Sequence, residues 1–144
     1  MKRLPILLCL LPLTACMTVT GEEAPERTGP QRELAGTAWA AVSIDGRSVQ
    51  AGIESTVVFQ GDRVGGSAGC NRYSAVLESQ GTALHIGDIV ATKMACAPAA
   101  MDQEQRFLGA LEVVAAYRWT DGSLILLDVD GQERLRLIHS AEPR

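Results

Sequence analysis

A chain of 144 residues, 47% of them hydrophobic, has room for one globular domain. Its 17 acids against 13 bases leave a formal charge of −4. That balance argues against a nucleic-acid partner, whose phosphates must be neutralised by Lys and Arg.

The first fifteen residues read as a targeting segment rather than as fold. Lys2 and Arg3 make a positive start, and residues 4–13 form an uncharged apolar stretch. It is too short for the roughly 20 residues that cross a bilayer, but it suits a signal-peptide core. The exit is Leu13-Thr14-Ala15-Cys16, where Leu13 is too bulky for an ordinary secretory cleavage site. It resembles instead the bacterial lipobox, which implies that Cys16 is lipidated and becomes the first mature residue. Met17 rather than Asp follows it, which by the same resemblance implies sorting to the outer membrane. Losing Lys2 and Arg3 moves the formal charge from −4 to −6, so anionic lipid would not attract the mature chain. The expected membrane link is the acyl anchor.

Four cysteines are present, and two are accounted for: Cys9 leaves with the signal and Cys16 takes the lipid. In an oxidising compartment the remaining Cys70 and Cys96 are expected to pair. The loop of about 27 residues would be worth roughly 3–4 kcal/mol in the chain-entropy model. A catalytic thiol and a zinc site are the competing readings. No CxxC occurs, and His85 and His139 show no ligand spacing, so no metal or cofactor is expected.

Residues 16–33 follow as a lipidated cysteine and a polar tether, with Pro25, Gly29, Pro30 and four glutamates and little to bury. As a flexible coil the tether would reach about 20–25 Å. The folded domain is expected over 34–144. Its first strand is read at 37–44, ending at Asp45-Gly46, and a second at 55–60, ending at Gly61-Asp62 with a return beginning at Arg63. Weaker strands are read at 71–77, 83–86 and 89–95. Between Pro98 and Ala116, Phe107, Leu108, Leu111 and Val114 fall at helical spacing. Either Asp102 with Gln105, or Pro98, opens that helix. Strands at 117–120, 123–128 and 133–138 close the chain as a meander, with Leu135 and Leu137 facing away from Arg134 and Arg136. One helix among many short strands implies an α+β domain, a curled sheet packed around the helix to bury Phe107 and Leu111.

Gly65-Gly66-Ser67-Ala68-Gly69-Cys70-Asn71-Arg72-Tyr73 is the most unusual run. It lacks the Gly-Lys-Ser/Thr or G-x-G-x-x-G of a phosphate loop, and reads as a bend aiming Cys70 at Cys96, with ligand binding as the alternative. Arg72 is read as a surface contact or an ion-pair partner. A Ser67–His85–Asp set can be written on paper, but Ser67 has no nucleophile-elbow context. His85, between Leu84 and Ile86, should face solvent, and His139 should lie in a frayed terminus. Trp39, Tyr73, Tyr117 and Trp119 serve either core and rim packing or an aromatic cleft.

The Gly69-Cys70-Asn71-Arg72-Tyr73 element and the later Thr92-Lys93-Met94-Ala95-Cys96 element together resemble the META domain, also called HslJ-like. Gly36-Thr37-x-Trp39, Asp45-Gly46, Glu104, Phe107, Leu111 and the Asp130-Gly131 turn agree with it over residues 34–138. The chain departs at Ser74-Ala75-Val76-Leu77, where relatives often place a Gly or an aromatic. The resemblance implies a mostly antiparallel sheet around one helix, with no established catalytic residues to carry over. It also implies a lipid-anchored envelope protein without enzyme activity, linked to heat shock or to tolerance of the antibiotic novobiocin. Its partner would be an envelope protein or a small ligand. A small envelope hydrolase, or an inhibitor or accessory subunit of an envelope complex, are the alternatives.

Overall fold

Alternating apolar residues between glycine and aspartate turns build a strand-rich domain in the computed structural model, which describes residues 34–140. The segment 1–15, Cys16 and the tether to residue 33 lie outside the described residues. The strands are β1 (Ala38–Ile44), β2 (Arg47–Ser48), β3 (Thr56–Gln60), β4 (Arg63–Ser67), β5 (Arg72–Gln80), β6 (Ala83–Ile86) and β7 (Val90–Ala91). After the helix α1 (Pro98–Glu112) come β8 (Ala116–Thr120), β9 (Ser123–Leu127) and β10 (Glu133–His139).

Every pairing is antiparallel, in the order β10-β9-β8-β6-β5-β4-β3-β1-β2, and β10 also pairs with β1. The sheet therefore curls until its ends meet. Closure is firm at β1–β10, where five residues pair from Trp39↔His139 to Ile44↔Leu135. It is thin at β6–β8, where Ala83↔Ala116 is the one registered pair. Two flanking backbone bonds, Leu84 N to Ala115 O and Tyr117 N to Thr82 O, each 3.0 Å, reinforce that seam.

Period-two alternation puts one side of each strand inside the curl. Phe59, Leu77, Leu124, Leu126, Leu135 and Leu137 are almost wholly buried there, and Phe107 and Leu111 of α1 meet them. Burying an aromatic or a leucine contributes about 1.5–3 kcal/mol. The fold is thus an α+β domain: a curled antiparallel sheet with one helix, α1, among the described residues.

Pro98 opens α1 in the first helical turn, after Ala97, which makes no side-chain cap. Asp102 sits inside the helix and pairs with Arg106 at 3.2 Å. A proline at that place loses nothing, because its missing N–H would have had no helical partner. The strand expected over 89–95 shrinks to Val90–Ala91. Beyond Ala91 the chain bonds once more to β5, through Thr92 N to Arg72 O at 3.0 Å, and then to a side chain, Asn71.

Candidate functional site

The Gly65–Tyr73 run divides between two tasks. Gly65 and Gly66 are not a bend but the middle of β4, paired with Ser74 and Tyr73. Both are glycine because the backbone is crowded. A Cβ on Gly65 would lie 2.8 Å from the Tyr73 carbonyl, and one on Gly66 would strike the Thr56 carbonyl. That Thr56 carbonyl accepts the Tyr73 hydroxyl at 2.9 Å, and burial pushes the Tyr73 pKa upward, so the phenol remains a donor. The reversal comes later, at Ala68–Asn71, closed by Ala68 N to Asn71 O at 2.7 Å.

Asn71 is buried just beyond that turn and is bonded at both ends of its amide. Its Oδ1 accepts from Met94 N at 2.7 Å and Thr92 Oγ1 at 2.8 Å, while its Nδ2 donates to Met94 O at 3.2 Å. The same Nδ2 donates to Glu104 Oε1 at 2.8 Å, and Glu104 Oε2 accepts from Asn71 N at 2.6 Å and Cys70 N at 3.3 Å. One turn of α1 thereby holds the Cys70 turn. Gln103 beside it accepts from Gln50 N at 2.7 Å and donates to Ile53 O and Ser55 Oγ, each 3.0 Å. The buried polar groups of α1 thus tie two separate loops to the helix, the β2–β3 connection and the Cys70 turn. A disulfide joins Cys70 to Cys96 across the same region, with Cα atoms 5.9 Å apart.

On the outer face, the strands around Arg72 leave a concavity of about 610 Å³. Val58 of β3, Gly65 of β4, and Val90 of β7 form its apolar floor, and Arg63, Arg72, Ser74 and Thr92 stand around it. Gly65 is the reason there is room: with no side chain, it exposes the sheet between Val58 and Ser74, its two cross-strand partners. Arg63 pairs with Val76 and Ser67 with Arg72, so the two arginines stand about 13 Å apart along the strands. The Arg63 guanidinium turns inward, its Nη2 3.5 Å from Ser74 Oγ. Thr92, by contrast, is committed: its hydroxyl donates to Asn71 and accepts from Arg72 N at 3.2 Å. The buried knot therefore fixes the wall of the exposed groove.

The paper triad is not assembled. Ser67 pairs with Arg72 and His85 with Glu78, positions six residues apart on β5, a separation of about 20 Å. His85 is exposed, and Ser67 Oγ accepts from Gly69 N at 3.3 Å. His139 is not frayed: it pairs with Trp39 in the sheet, and their rings lie 5.1 Å apart. Trp39 and Trp119 are 5.3 Å apart, with Tyr117 6.3 Å from Trp119, at a mouth of the curl. Tyr73 is elsewhere, edge-on to Phe107 at 5.7 Å. Arg72 makes no ion pair among the described residues. Nor, among those residues, does any group of three or more His, Cys, Asp or Glu stand ready to hold a metal.

Sequence reasoning singled out Arg72 but passed over Arg63, Ser74 and Val90. The available signal was the stretch Ser74–Leu77 where the chain leaves its relatives' pattern, since Ser74 lies in the groove.

A curled antiparallel sheet around one helix, with the Cys70–Asn71 turn tied to it, defines a small α+β scaffold seen in other proteins. The META domain matches residues 32–141, and the chain belongs to that family. A protein from Burkholderia xenovorans, solved by NMR, superposes with a TM-score of 0.62 at 23% identity, covering 78% of this chain and 88% of that one. A crystal structure of a DUF4847 family protein from Bacteroides vulgatus gives 0.60 at 13% identity, over 79% and 99%. At such identities the likeness is one of fold. No curated protein is similar enough to the chain to serve as a relative.

Proposed function

We propose that this META-domain protein is a non-enzymatic binding module, held at the cell envelope by an acylated Cys16, with the Arg63–Arg72 groove as its ligand site. It serves tolerance of heat or of antibiotics such as novobiocin, and sits on the periplasmic face of the outer membrane. The observation that carries the reading is the groove itself. Its volume falls in the range of small-molecule sites, and its wall is held by a fully bonded knot rather than by mobile side chains. The non-enzymatic part rests on the distance between Ser67 and His85, since general-base activation needs hydrogen-bond contact.

Three measurements test it. Protein from native membranes should carry an acyl-modified Cys16 and partition into detergent, and Cys16→Ala should lose both; an unmodified Cys16 would remove the anchor. Ser74→Trp, which fills the groove from a half-buried strand position on its lining, should abolish tolerance in cells while protein levels hold. Undiminished tolerance would separate the groove from the function, and turnover of an ester or peptide panel by purified protein would end the non-enzymatic reading.

A further inference from the structure

We infer that the groove takes a small organic oxyanion, a phosphate or carboxylate carried on a short apolar body. The inference rests on the groove being a ligand site, and adds the chemistry of what it holds.

Charge distribution is the first argument. The chain is acidic, and three of its arginines are neutralised: Arg106 by Asp102, Arg134 by Asp45 and Arg136 by Glu133, at 2.6–3.2 Å. Arg63 and Arg72 have no such partner among the described residues, and no carboxylate lines the concavity they share. Asp62, next to Arg63, and Asp88, near Val90, are both outside the lining. Arg47, Lys93 and Arg118 also lack an acid partner among the described residues, but none of them lines this groove. Two guanidiniums facing one hollow bring fixed forks of N–H donors, a geometry suited to carboxylate and phosphate oxygens. Ser74 already accepts from Arg63, which leaves its own hydroxyl proton to donate to the same anion.

The floor is the second argument. Val90 is 69% exposed although it is paired in the sheet, and Val58 and Gly65 lie beside it. A bare inorganic ion would leave that surface in water, and a neutral apolar molecule would leave both guanidiniums unmatched. An anion with a short apolar body satisfies both. It lies with its oxygens between Arg63 and Arg72 and its body along Val58, Gly65 and Val90. Such a group comes either from a free metabolite or from the headgroup of an anionic lipid.

The test uses full-length, isotope-labelled protein purified from membranes in a neutral detergent and followed by amide NMR. Phenyl phosphate should shift Gly65, Gly66, Ser74 and Val90 saturably, and bind at least tenfold more tightly than inorganic phosphate or benzyl alcohol. Arg63→Gln combined with Arg72→Gln should weaken it tenfold or more, while Arg118→Gln leaves it unchanged. Both arginines are exposed, so the spectrum of the double variant reports intact folding, and Arg63→Gln alone gives a second reading. Phosphatidylglycerol vesicles that displace phenyl phosphate, when phosphatidylcholine vesicles do not, assign the anion to a lipid headgroup; no displacement assigns it to a free molecule. Equal binding of phenyl phosphate and benzyl alcohol, or full binding by the double variant, would overturn the oxyanion and leave a ligand site of other chemistry. Shifts nowhere in the groove with any compound would take the ligand site away as well.

Discussion

Asn71 and Arg72 are neighbours in the chain and opposites in the fold. Asn71 is buried, and its amide oxygen and nitrogen together have four partners. Arg72 is exposed, and its guanidinium has no ion-pair partner among the described residues. The difference reflects where water can go. A polar group shut away from solvent must be bonded or it costs free energy, whereas one facing solvent can wait for a ligand. One short motif thus locks the fold with one side chain and furnishes a surface with the next. Thr92 links the two, because its hydroxyl bonds to Asn71 and to the backbone of Arg72.

The knot should yield the largest effects. Glu104→Ala leaves Cys70 N and Asn71 N without their acceptor and Asn71 Nδ2 with Met94 O alone, and should cost about 3 kcal/mol in urea unfolding. Asn71→Ala should cost a similar amount; a loss below about 1 kcal/mol in either would show that water replaces these bonds, and would erase the contrast with Arg72. Next comes the disulfide. Cys70→Ser with Cys96→Ser should cost about 2–4 kcal/mol. Combined with Asn71→Ala the losses should not add, because bridge and amide hold the same 92–96 segment. Strict additivity in that double-mutant cycle would mean that the two restrain the chain independently.

A smaller effect is expected at the aromatic mouth. Trp119 is 46% exposed and meets Trp39 at a tilt of 58°, so Trp119→Ala should lower stability by about 1 kcal/mol, read as a shift in thermal midpoint. The smallest belongs to the groove. Arg72→Gln should change stability by less than about 0.5 kcal/mol, the range for surface positions, in the same urea titration. A loss comparable to that of Asn71→Ala would make Arg72 part of the knot and not of a site.

Much of the fold was legible because strands and helix write short-range periods. Leu135 and Leu137 alternate with Arg134 and Arg136, and two of these, Leu135 and Leu137, are fully buried as the period requires. Phe107 and Leu111, four apart, mark the inner face of α1. Gly65 and Gly66 were misread as a bend because glycine permits turns and close approaches alike, and only the strand lying alongside decides which. His139 looked frayed because nothing nearby in sequence holds it; its partner Trp39 is a hundred positions earlier. The strand read over 89–95 was carried too far because Thr92-Lys93-Met94 has no breaker, yet the backbone of Met94 is claimed by the side chain of Asn71.

By itself the chain determined where turns fall, which side of each strand is apolar, that one segment is helical, and that two cysteines, Cys70 and Cys96, lie in the strand-rich part. Those are local properties, set by side-chain period and composition within a few residues. Tertiary structure alone decided that β10 closes on β1, that Glu104 and Gln103 are buried yet satisfied, and that Arg63 and Arg72 face one hollow without a carboxylate. The first two join residues far apart in sequence, and the third depends on how β4 and β5 lie side by side. A charge becomes a site only when folding decides which neighbours it keeps and whether water still reaches it.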